Sequence, residues 1–275
     1  MRLVVRSDQD AASVNITDRL VELGGWEARG EFEDTPVKWS GDCALVTIPV
    51  HHLHYDNIDD KVGKALGTRP SLVIFASRHK SASNMRTLTI HPIGNYGRAE
   101  MGGREATLVP AAPHEMTFAL KDLVKRAASL KYQVSFEATH HGPFLETPTF
   151  YIEIGSDGEA WQDREAGRAI AGTIREVLKA EKPPAPVAVG IGGGHYMPRI
   201  TDVAREKKIS FGHMLPSYAF ETGWSPGMLE GMLGATPGAS LAYFHRKAIR
   251  TPVLREMEGW FRERGVEPVS SKEID

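Results

Sequence analysis

"SLVIFAS", residues 71–77, is a short and unbroken apolar run, and it is the stretch that decides the fold. A strand without polar alternation is typical of a sheet that is covered on both faces. Similar strand-like runs occupy residues 2–7, 43–50, 132–140, 149–156 and 186–192. Helical spacing of apolar residues recurs at 12–23, 114–130, 159–180 and 252–264. The alternation predicts an α/β fold, with a mixed, largely parallel sheet and helices on both faces.

The bulk composition excludes several classes of protein. The chain has 275 residues, and its formal net charge of -2 argues against coating nucleic acid by bulk electrostatics, although a local basic face stays open. Cys43 is the single cysteine, which rules out an intrachain disulfide and a multi-cysteine zinc site. Neither a signal peptide nor a membrane-spanning run is present, so we expect a cytoplasmic protein.

No repeat or long linker divides the sequence, so we expect one domain over residues 1–275. The "EKPPAP" stretch at 181–186 is interpreted as a stiff connection from a helix to a strand within that domain. Basic residues nevertheless cluster in three places, which could contact RNA phosphates or could be solvated helix faces. The clusters are Lys121, Lys125, Arg126 and Lys131; Arg205, Lys207 and Lys208; and Arg246, Lys247 and Arg250.

Histidines follow the apolar runs. Six of the 11 lie at or just beyond the ends of such runs: His79, His91, His140, His141, His195 and His213. If the strands share a direction, these side chains meet at one edge of the sheet and line one polar pocket. Neutral imidazoles are common zinc ligands and also the usual general bases, and spacing alone does not choose between these roles. Nearby carboxylates that could serve as a ligand or base are Glu137, Glu146, Glu153 and Asp202. "HHLH" at 51–54 is interpreted instead as a solvated loop.

The stretch "GIGGGHYMP" at 190–198 is a glycine-rich turn after a strand. It lacks the lysine and serine of a P-loop, and in the dinucleotide fingerprint that starts at Gly190 the third glycine position is His195. What remains is a turn with exposed N–H groups that could hold a phosphate or an oxyanion, or let a substrate approach the backbone. The glycines concerned are Gly190, Gly192, Gly193 and Gly194.

Taken together, six motifs resemble one family, the archaeal and plant type of D-aminoacyl-tRNA deacylase, which is distinct from the small bacterial type. They are "FASRHKS" at 75–81, "HPIGNYG" at 91–97, "YQVSFEATHHGP" at 132–143, "TPTFYIEIGS" at 147–156, "GIGGGHYMP" at 190–198 and "FGHMLPSYA" at 211–219. The first 70 residues and the last 50 match the family only in general pattern.

The resemblance implies an esterase that releases a D-amino acid from the 3′ end of tRNA, with two zinc ions per chain. It also implies a monomer whose core is similar to peptidyl-tRNA hydrolase and phosphorylase-like folds. The first catalytic candidates are His140, His141 and His195, and the metal candidates add His79, His91 and His213. The substrate-binding candidates are the four glycines of the turn together with Arg78, Asn95 and Gly142.

Two mechanisms and two rival functions stay open at this point. Zinc could lower the pKa of a bound water that attacks the ester, or a histidine could act as the base without metal. The rivals are a zinc-dependent hydrolase or phosphorylase-like enzyme that acts on a small molecule, and a non-catalytic RNA-binding module whose histidines hold a structural metal.

Overall fold

The computed structural model describes residues 1–81, 85–179, 182–221 and 223–275. Part of the predicted connection at 181–186 lies outside this set, since Glu181 is not described. The strands are β1 Arg2–Ser7, β2 Glu27–Phe32, β3 Thr35–Ser40, β4 Cys43–Ile48, β5 Leu72–Lys80, β6 Thr87–His91, β7 Gln133–Phe136, β8 Thr149–Ser156, β9 Val187–Ile191, β10 Ser210–Leu215, β11 Ala239–Phe244 and β12 Glu267–Val269. The helices are α1 Ala11–Glu22, α2 Ile58–Leu66, α3 Pro113–Arg126, α4 Gly158–Trp161, α5 Arg164–Lys179, α6 Pro198–Glu206, α7 Pro226–Gly234 and α8 Thr251–Arg262.

The strands form two sheets. The larger has the order β2-β3-β4-β1-β5-β8-β6-β7, and the smaller has the order β10-β9-β11-β12. All pairs of the smaller sheet are parallel, while the larger sheet mixes parallel and antiparallel pairs. The prediction of a mixed, largely parallel α/β fold with helices on both faces is thus confirmed. A single domain over 1–275 stays a prediction.

The two faces of the larger sheet are different because side chains alternate along each strand. One face carries Ile74 and Ile152, which belong to the same apolar core as residues of α1, α3 and α5. On the other face, Ser77 of β5 lies in register with Glu153 of β8, and His79 lies in register with Gly155. A polar patch therefore sits on this second face, beside an apolar core that includes α2.

The condition that the histidine-bearing strands share a direction does not hold for β6. This strand runs antiparallel to β8, with His91 paired to Tyr151 and Thr89 paired to Glu153. His79 and His91 therefore lie near the carboxyl ends of two strands that point in opposite directions. They come together across its face, on either side of Glu153, and not along one edge.

Residues 137–139 join the two sheets. Glu137 still donates its N–H to Ile90 in β6, but the next N–H, of Ala138, donates to the carbonyl of His195, and that of Thr139 donates to Met214 in β10. The predicted strand 132–140 consequently ends at Phe136. The segment after β7 thus brings its carboxylate and histidines to the junction of the sheets.

The predicted helix 159–180 is two helices. The chain turns at residues 162 and 163, where the Asp163 side chain accepts hydrogen bonds from the N–H groups of Glu165 and Ala166 and begins α5. Asn15 of α1 donates to the carbonyls of Trp161 and Asp163, which holds this break in place. Among the described helices, none combines the length and apolar character needed to cross a membrane.

Candidate active site

Three of the predicted histidines form a tight group. The potential ligand nitrogens of His91, His140 and His141 lie within 4.8 Å of one another. Each Nδ1 faces a backbone carbonyl: Pro92 at 3.1 Å, Ala138 at 2.7 Å and Gly142 at 2.7 Å, respectively. An imidazole that donates from Nδ1 keeps its Nε2 lone pair, and this second-shell arrangement is typical of metal-binding histidines. All three Nε2 atoms are thus prepared to coordinate a cation.

A second group consists of His79, Glu137 and His195, again with potential ligand atoms within 4.8 Å. The Glu137 carboxylate is fully buried. Its Oε2 lies 3.1 Å from His195 Nε2, and its Oε1 lies 3.2 Å from His79 Nδ1. A third group, of His91, Glu137 and Glu153, shares residues with both of the others. Glu137 therefore connects the two histidine groups into one centre.

The charge of this centre is negative before any proton or cation is added. Burial raises the pKa values of Glu137 and Glu153, but the neighbouring histidines outweigh it and hold both pKa values below their ordinary range. Burial likewise lowers the pKa of His79, yet the two carboxylates raise it to about 11. The pKa of His91 is raised as well, chiefly by Glu153. Protons on His79 and His91 thus balance two buried carboxylates, a task that a divalent cation can also perform.

Two further histidines of the centre, His140 and His141, are held neutral. Burial, and then the positive charge at His91, lowers the pKa of His140 to about 3. Burial also holds the pKa of His141 well below its ordinary value. Two buried atoms, His91 Nε2 and Glu137 Oε1, make no well-aligned hydrogen bond within the described ranges, although they face Glu153 at 3.6 Å and His79 at 3.2 Å. Buried polar atoms normally make hydrogen bonds, so this incomplete pairing, on metal-ligand residue types, fits a bound cation.

A cavity of about 310 Å³ opens onto the centre. It is lined by His51, His52, Leu53, Ser77, Arg78, His79, Lys80, Met101, His140, His141, Glu153 and His195. The substrate-binding candidate Arg78 lies in this wall, with its Nη2 at 3.3 Å from His51 Nε2. The cavity combines a cationic rim, an apolar patch from Leu53 and Met101, and the titratable centre at its base.

The interpretation of "HHLH" as a solvated loop is wrong. His52 is fully buried in a short 3₁₀ helix, His52–His54, and its Nε2 donates to Asp10 Oδ2 at 3.2 Å. Its Nδ1 accepts from the Tyr151 hydroxyl, also at 3.2 Å. These partners lie 42 and 99 residues away in the chain, so the local sequence carried no signal of them.

His213 does not join the centre, which corrects its prediction as a metal ligand. Its Nε2 donates to the Val109 carbonyl at 2.8 Å, and its Nδ1 accepts from the Thr139 hydroxyl at 3.0 Å. Both ring nitrogens are therefore occupied. Burial lowers its pKa to about 4, so it stays neutral and serves to pack the loop after β7 against β10.

The glycine turn is built for packing more than for approach by a substrate. Gly190 lies inside β9, where a Cβ would come within 2.6 Å of an Ile200 side-chain carbon. Gly192 and Gly193 have φ values of 92° and 101°, and their N–H groups donate to the Leu215 carbonyl and the Ser217 hydroxyl. These two donors are not available for an oxyanion, contrary to expectation. Gly194 is exposed, with open space where a Cβ would stand.

Asn95 and Gly142 hold the loop that carries Met101. The Asn95 side-chain amide donates to the carbonyls of Gly102 and Arg104, at 3.0 and 3.2 Å. A Cβ on Gly142 would lie 2.2 Å from the backbone nitrogen of the adjoining loop. Both residues therefore shape the cavity through its wall, and neither is among the described residues that line it.

Two of the four candidate carboxylates lie elsewhere. Glu146 forms an ion pair with Arg69 at 2.8 Å and is largely exposed. Asp202 lies on α6 and belongs to none of the three groups that the described residues form.

Comparison with known proteins agrees with the fold and with the motifs. A family model described as D-aminoacyl-tRNA deacylase matches residues 66–269. A relative of that name from Pyrococcus horikoshii is 40% identical over 224 residues, which are 80% of this chain and 81% of the relative. Another from Thermoplasma acidophilum is 31% identical over 271 residues, 98% of this chain and 100% of the relative. The crystal structure of AF0625, a conserved protein of unknown function, superimposes with a TM-score of 0.92 at 30% identity, covering 100% of this chain and 96% of that one.

Proposed function

The chain belongs to the D-aminoacyl-tRNA deacylase family, and from this premise we propose that it hydrolyses the ester bond between a D-amino acid and the 3′ end of tRNA. The observation that carries the proposal is the buried Glu137, which links two histidine groups at the base of an open cavity. Such a constellation is suited to water activation, and water activation is what ester hydrolysis requires.

We further propose that the centre holds one or two zinc ions. His91, His140 and His141 would form one ligand set, and His79, Glu137 and His195 the other. The fit rests on the Nε2 atoms of the neutral His140 and His141, and on the two buried atoms of the centre that make no well-aligned hydrogen bond among the described residues. Zinc, when bound, supplies Lewis acidity and lowers the pKa of a water ligand to near 7.

The side chains have separable roles in the reaction. The His195 ring is 31% exposed and faces the cavity, while its Nε2 lies 3.1 Å from the Glu137 carboxylate. Glu137 orients this ring through that contact, and in a mechanism without metal the ring could take up a proton from the attacking water at its other nitrogen. The Arg78 guanidinium lies in the cavity wall, and it would stabilise the negative charge that develops on the ester oxygen of a substrate bound there. Discrimination against L-amino acids would come from a cavity wall that clashes with their side chains.

The test is deacylation of matched D- and L-tyrosyl-tRNA by the purified protein with zinc supplied. We expect rapid loss of the D-ester and loss of the L-ester at the rate in buffer. Replacing His195 with glutamine should lower kcat by about 10²–10⁴-fold, the usual contribution of a general acid–base group. The matched control is His54→Gln, since His54 is exposed and is not part of the cavity lining. If neither ester is cleaved faster than in buffer by the folded protein, the proposal fails.

A further inference from the structure

A second polar cavity, of about 430 Å³, lies at the carboxyl edge of the smaller sheet. β11 ends at Phe244 and β12 ends at Val269, and the residues that follow them line this cavity. α6, which follows β9, contributes Arg199 from its first turn. In open parallel sheets, ligands bind outside the carboxyl ends of the strands, so the position itself is that of a binding site.

The lining of this cavity is cationic. Arg199, Arg246 and Lys247 contribute positive charge, and Ser270 and Ser271 contribute hydroxyl groups. No acidic side chain is among the lining residues that the structure describes.

The charges of the cavity are only partly neutralised. Arg246 pairs with Glu258 at 2.8 Å, whereas Arg199 donates to the neutral Ser271 hydroxyl at 2.9 Å. Glu273 lies nearby but accepts two hydrogen bonds from Ser270. No ion pair within the described ranges involves Arg199 or Lys247, so the cavity keeps a surplus of positive charge.

The surplus of positive charge acts on His245, whose pKa is lowered. Burial lowers its pKa first, and the positive charges of Arg199 and Lys247 lower it further. Its Nδ1 is buried and has no hydrogen-bond partner among the described residues. A cluster of cations beside the Ser271 hydroxyl, which accepts from Arg199 and can still donate, is chemistry that binds a phosphate group at the end of a parallel sheet.

We propose that this cavity binds a backbone phosphate of the tRNA substrate, close to its aminoacylated end. The inference rests on the proposed function, because it assumes that an RNA strand enters the active site. Arginine and lysine with serine hydroxyls are common phosphate partners in RNA recognition, and such contacts position the strand without reading its sequence.

The backbone connects this cavity to the catalytic centre. The N–H of His245 donates to the Ile191 carbonyl at 2.8 Å, and a Cβ on Gly193 would lie 3.2 Å from His245 Nδ1. From Ile191 the chain reaches His195 in four residues, a span of at most about 14 Å when fully extended. A phosphate in this cavity would therefore lie within a few nucleotides of the ester.

The test compares Lys247→Gln with the matched control Lys64→Gln, which removes an exposed lysine on α2, outside both cavities. For each protein, kcat/KM is measured with D-tyrosyl-tRNA over a range of salt concentrations, and with the D-tyrosyl ester of adenosine, which has no phosphate. Lys247 is exposed, so its replacement does not endanger folding.

For Lys247→Gln we expect the ratio of kcat/KM for the tRNA ester to that for the adenosine ester to fall about tenfold, as for loss of one charged contact. The slope of log(kcat/KM) against log[salt] should flatten by about 0.7, the value for one phosphate contact to a single strand. Lys64→Gln should change neither quantity.

The outcomes separate the two proposals. If the wild-type protein cleaves neither ester, the proposed function itself is contradicted. If the wild type is active and Lys247→Gln keeps both the ratio and the salt slope, the phosphate site is overturned and the function stands. Calorimetric titration with inorganic phosphate distinguishes an RNA phosphate from free phosphate as the ligand. If Lys247→Gln loses phosphate binding but its tRNA kinetics are unchanged, the cavity is a site for free phosphate and the RNA assignment is overturned.

Discussion

Replacing Glu137 with glutamine removes the charge that links the two histidine groups and keeps the side-chain volume. Glu137 Oε1 lies 3.2 Å from His79 Nδ1. At an effective dielectric constant of about 20, opposite unit charges at that distance attract by about 5 kcal/mol. This attraction is large enough to account for much of the rise in the pKa of His79 to about 11. In the variant we expect that pKa to fall toward the ordinary value of about 6.5.

The pH dependence of stability follows from the direction of this shift. The folded-state pKa of His79 is higher than its unfolded value of about 6.5, so its contribution to stability is fully present below that pH. The contribution is lost as the pH rises toward 11, at about 1.4 kcal/mol for each pH unit. Removing one member of a buried ion pair costs about 3–5 kcal/mol. The variant should therefore be less stable by about that amount at pH 6, and the difference should shrink by about 3 kcal/mol at pH 9.

The assay is urea unfolding of chelator-treated protein at pH 6 and pH 9. Glu159→Gln serves as the matched control, because Glu159 is an 82% exposed carboxylate that pairs with Arg86 on the surface. The control should cost at most about 1 kcal/mol at either pH. If Glu137→Gln shows the same free-energy difference at both pH values, the charge coupling between Glu137 and His79 is refuted.

Two further pairs of variants test the packing and the hydrogen bonds that hold the walls of the cavity in place. Gly142→Ala would place a Cβ 2.2 Å from a neighbouring backbone nitrogen and should destabilise the protein by at least about 1–3 kcal/mol; Gly194→Ala, with no atom within 4 Å, should change stability by less than about 0.5 kcal/mol. Equal melting temperatures of these two variants would contradict the packing role. Asp10→Asn keeps the cap of α1, but it removes the carboxylate oxygen that accepts hydrogen bonds from His52 and from the N–H of Arg78. We expect it to lower the free energy of unfolding by about 2–3 kcal/mol at pH 7. The matched control Asp157→Asn, at the cap of α4, should lower it by less than about 1 kcal/mol. The pKa of Asp10 is lowered in the folded protein, so the Asp10 carboxylate stabilises the fold above about pH 4 and this stabilisation is lost as the pH falls further. If Asp10→Asn lowers the free energy of unfolding by the same amount at pH 3 as at pH 7, this coupling is contradicted.

The local pattern of the sequence predicted elements better than it predicted how they connect. The strand over 149–156 follows from an apolar run and the helix over 12–23 from helical spacing, and both elements are confirmed. The break between α4 and α5 depends on Asn15, which lies more than 140 residues away, and no helical period reports it. The antiparallel direction of β6 likewise depends on the long connections around it. Strand direction is a property of topology, which a window of sequence does not contain.

The part of the site that could be predicted from the sequence is the set of histidines near the ends of apolar runs. Five of the six predicted histidines meet in one centre, whereas His213 uses both ring nitrogens in local hydrogen bonds. Spacing could not separate Glu137 from Glu146, because both lie within a few residues of the paired histidines. Burial separates them: Glu137 is fully enclosed between histidines, and Glu146 is 66% exposed beside an arginine. Burial is set by tertiary packing and becomes visible only in the fold.

The most direct test of the central claim is to strip the protein of metal with a chelator and to titrate zinc back while D-tyrosyl-tRNA deacylation and bound zinc are both measured. We predict that activity toward the D-ester is lost on chelation and returns in proportion to zinc bound, and that the Glu137→Gln variant binds less zinc and recovers less activity. Full D-selective hydrolysis by chelated protein that contains no measurable metal would contradict the zinc centre, and would assign the chemistry to His195 and Glu137 acting alone.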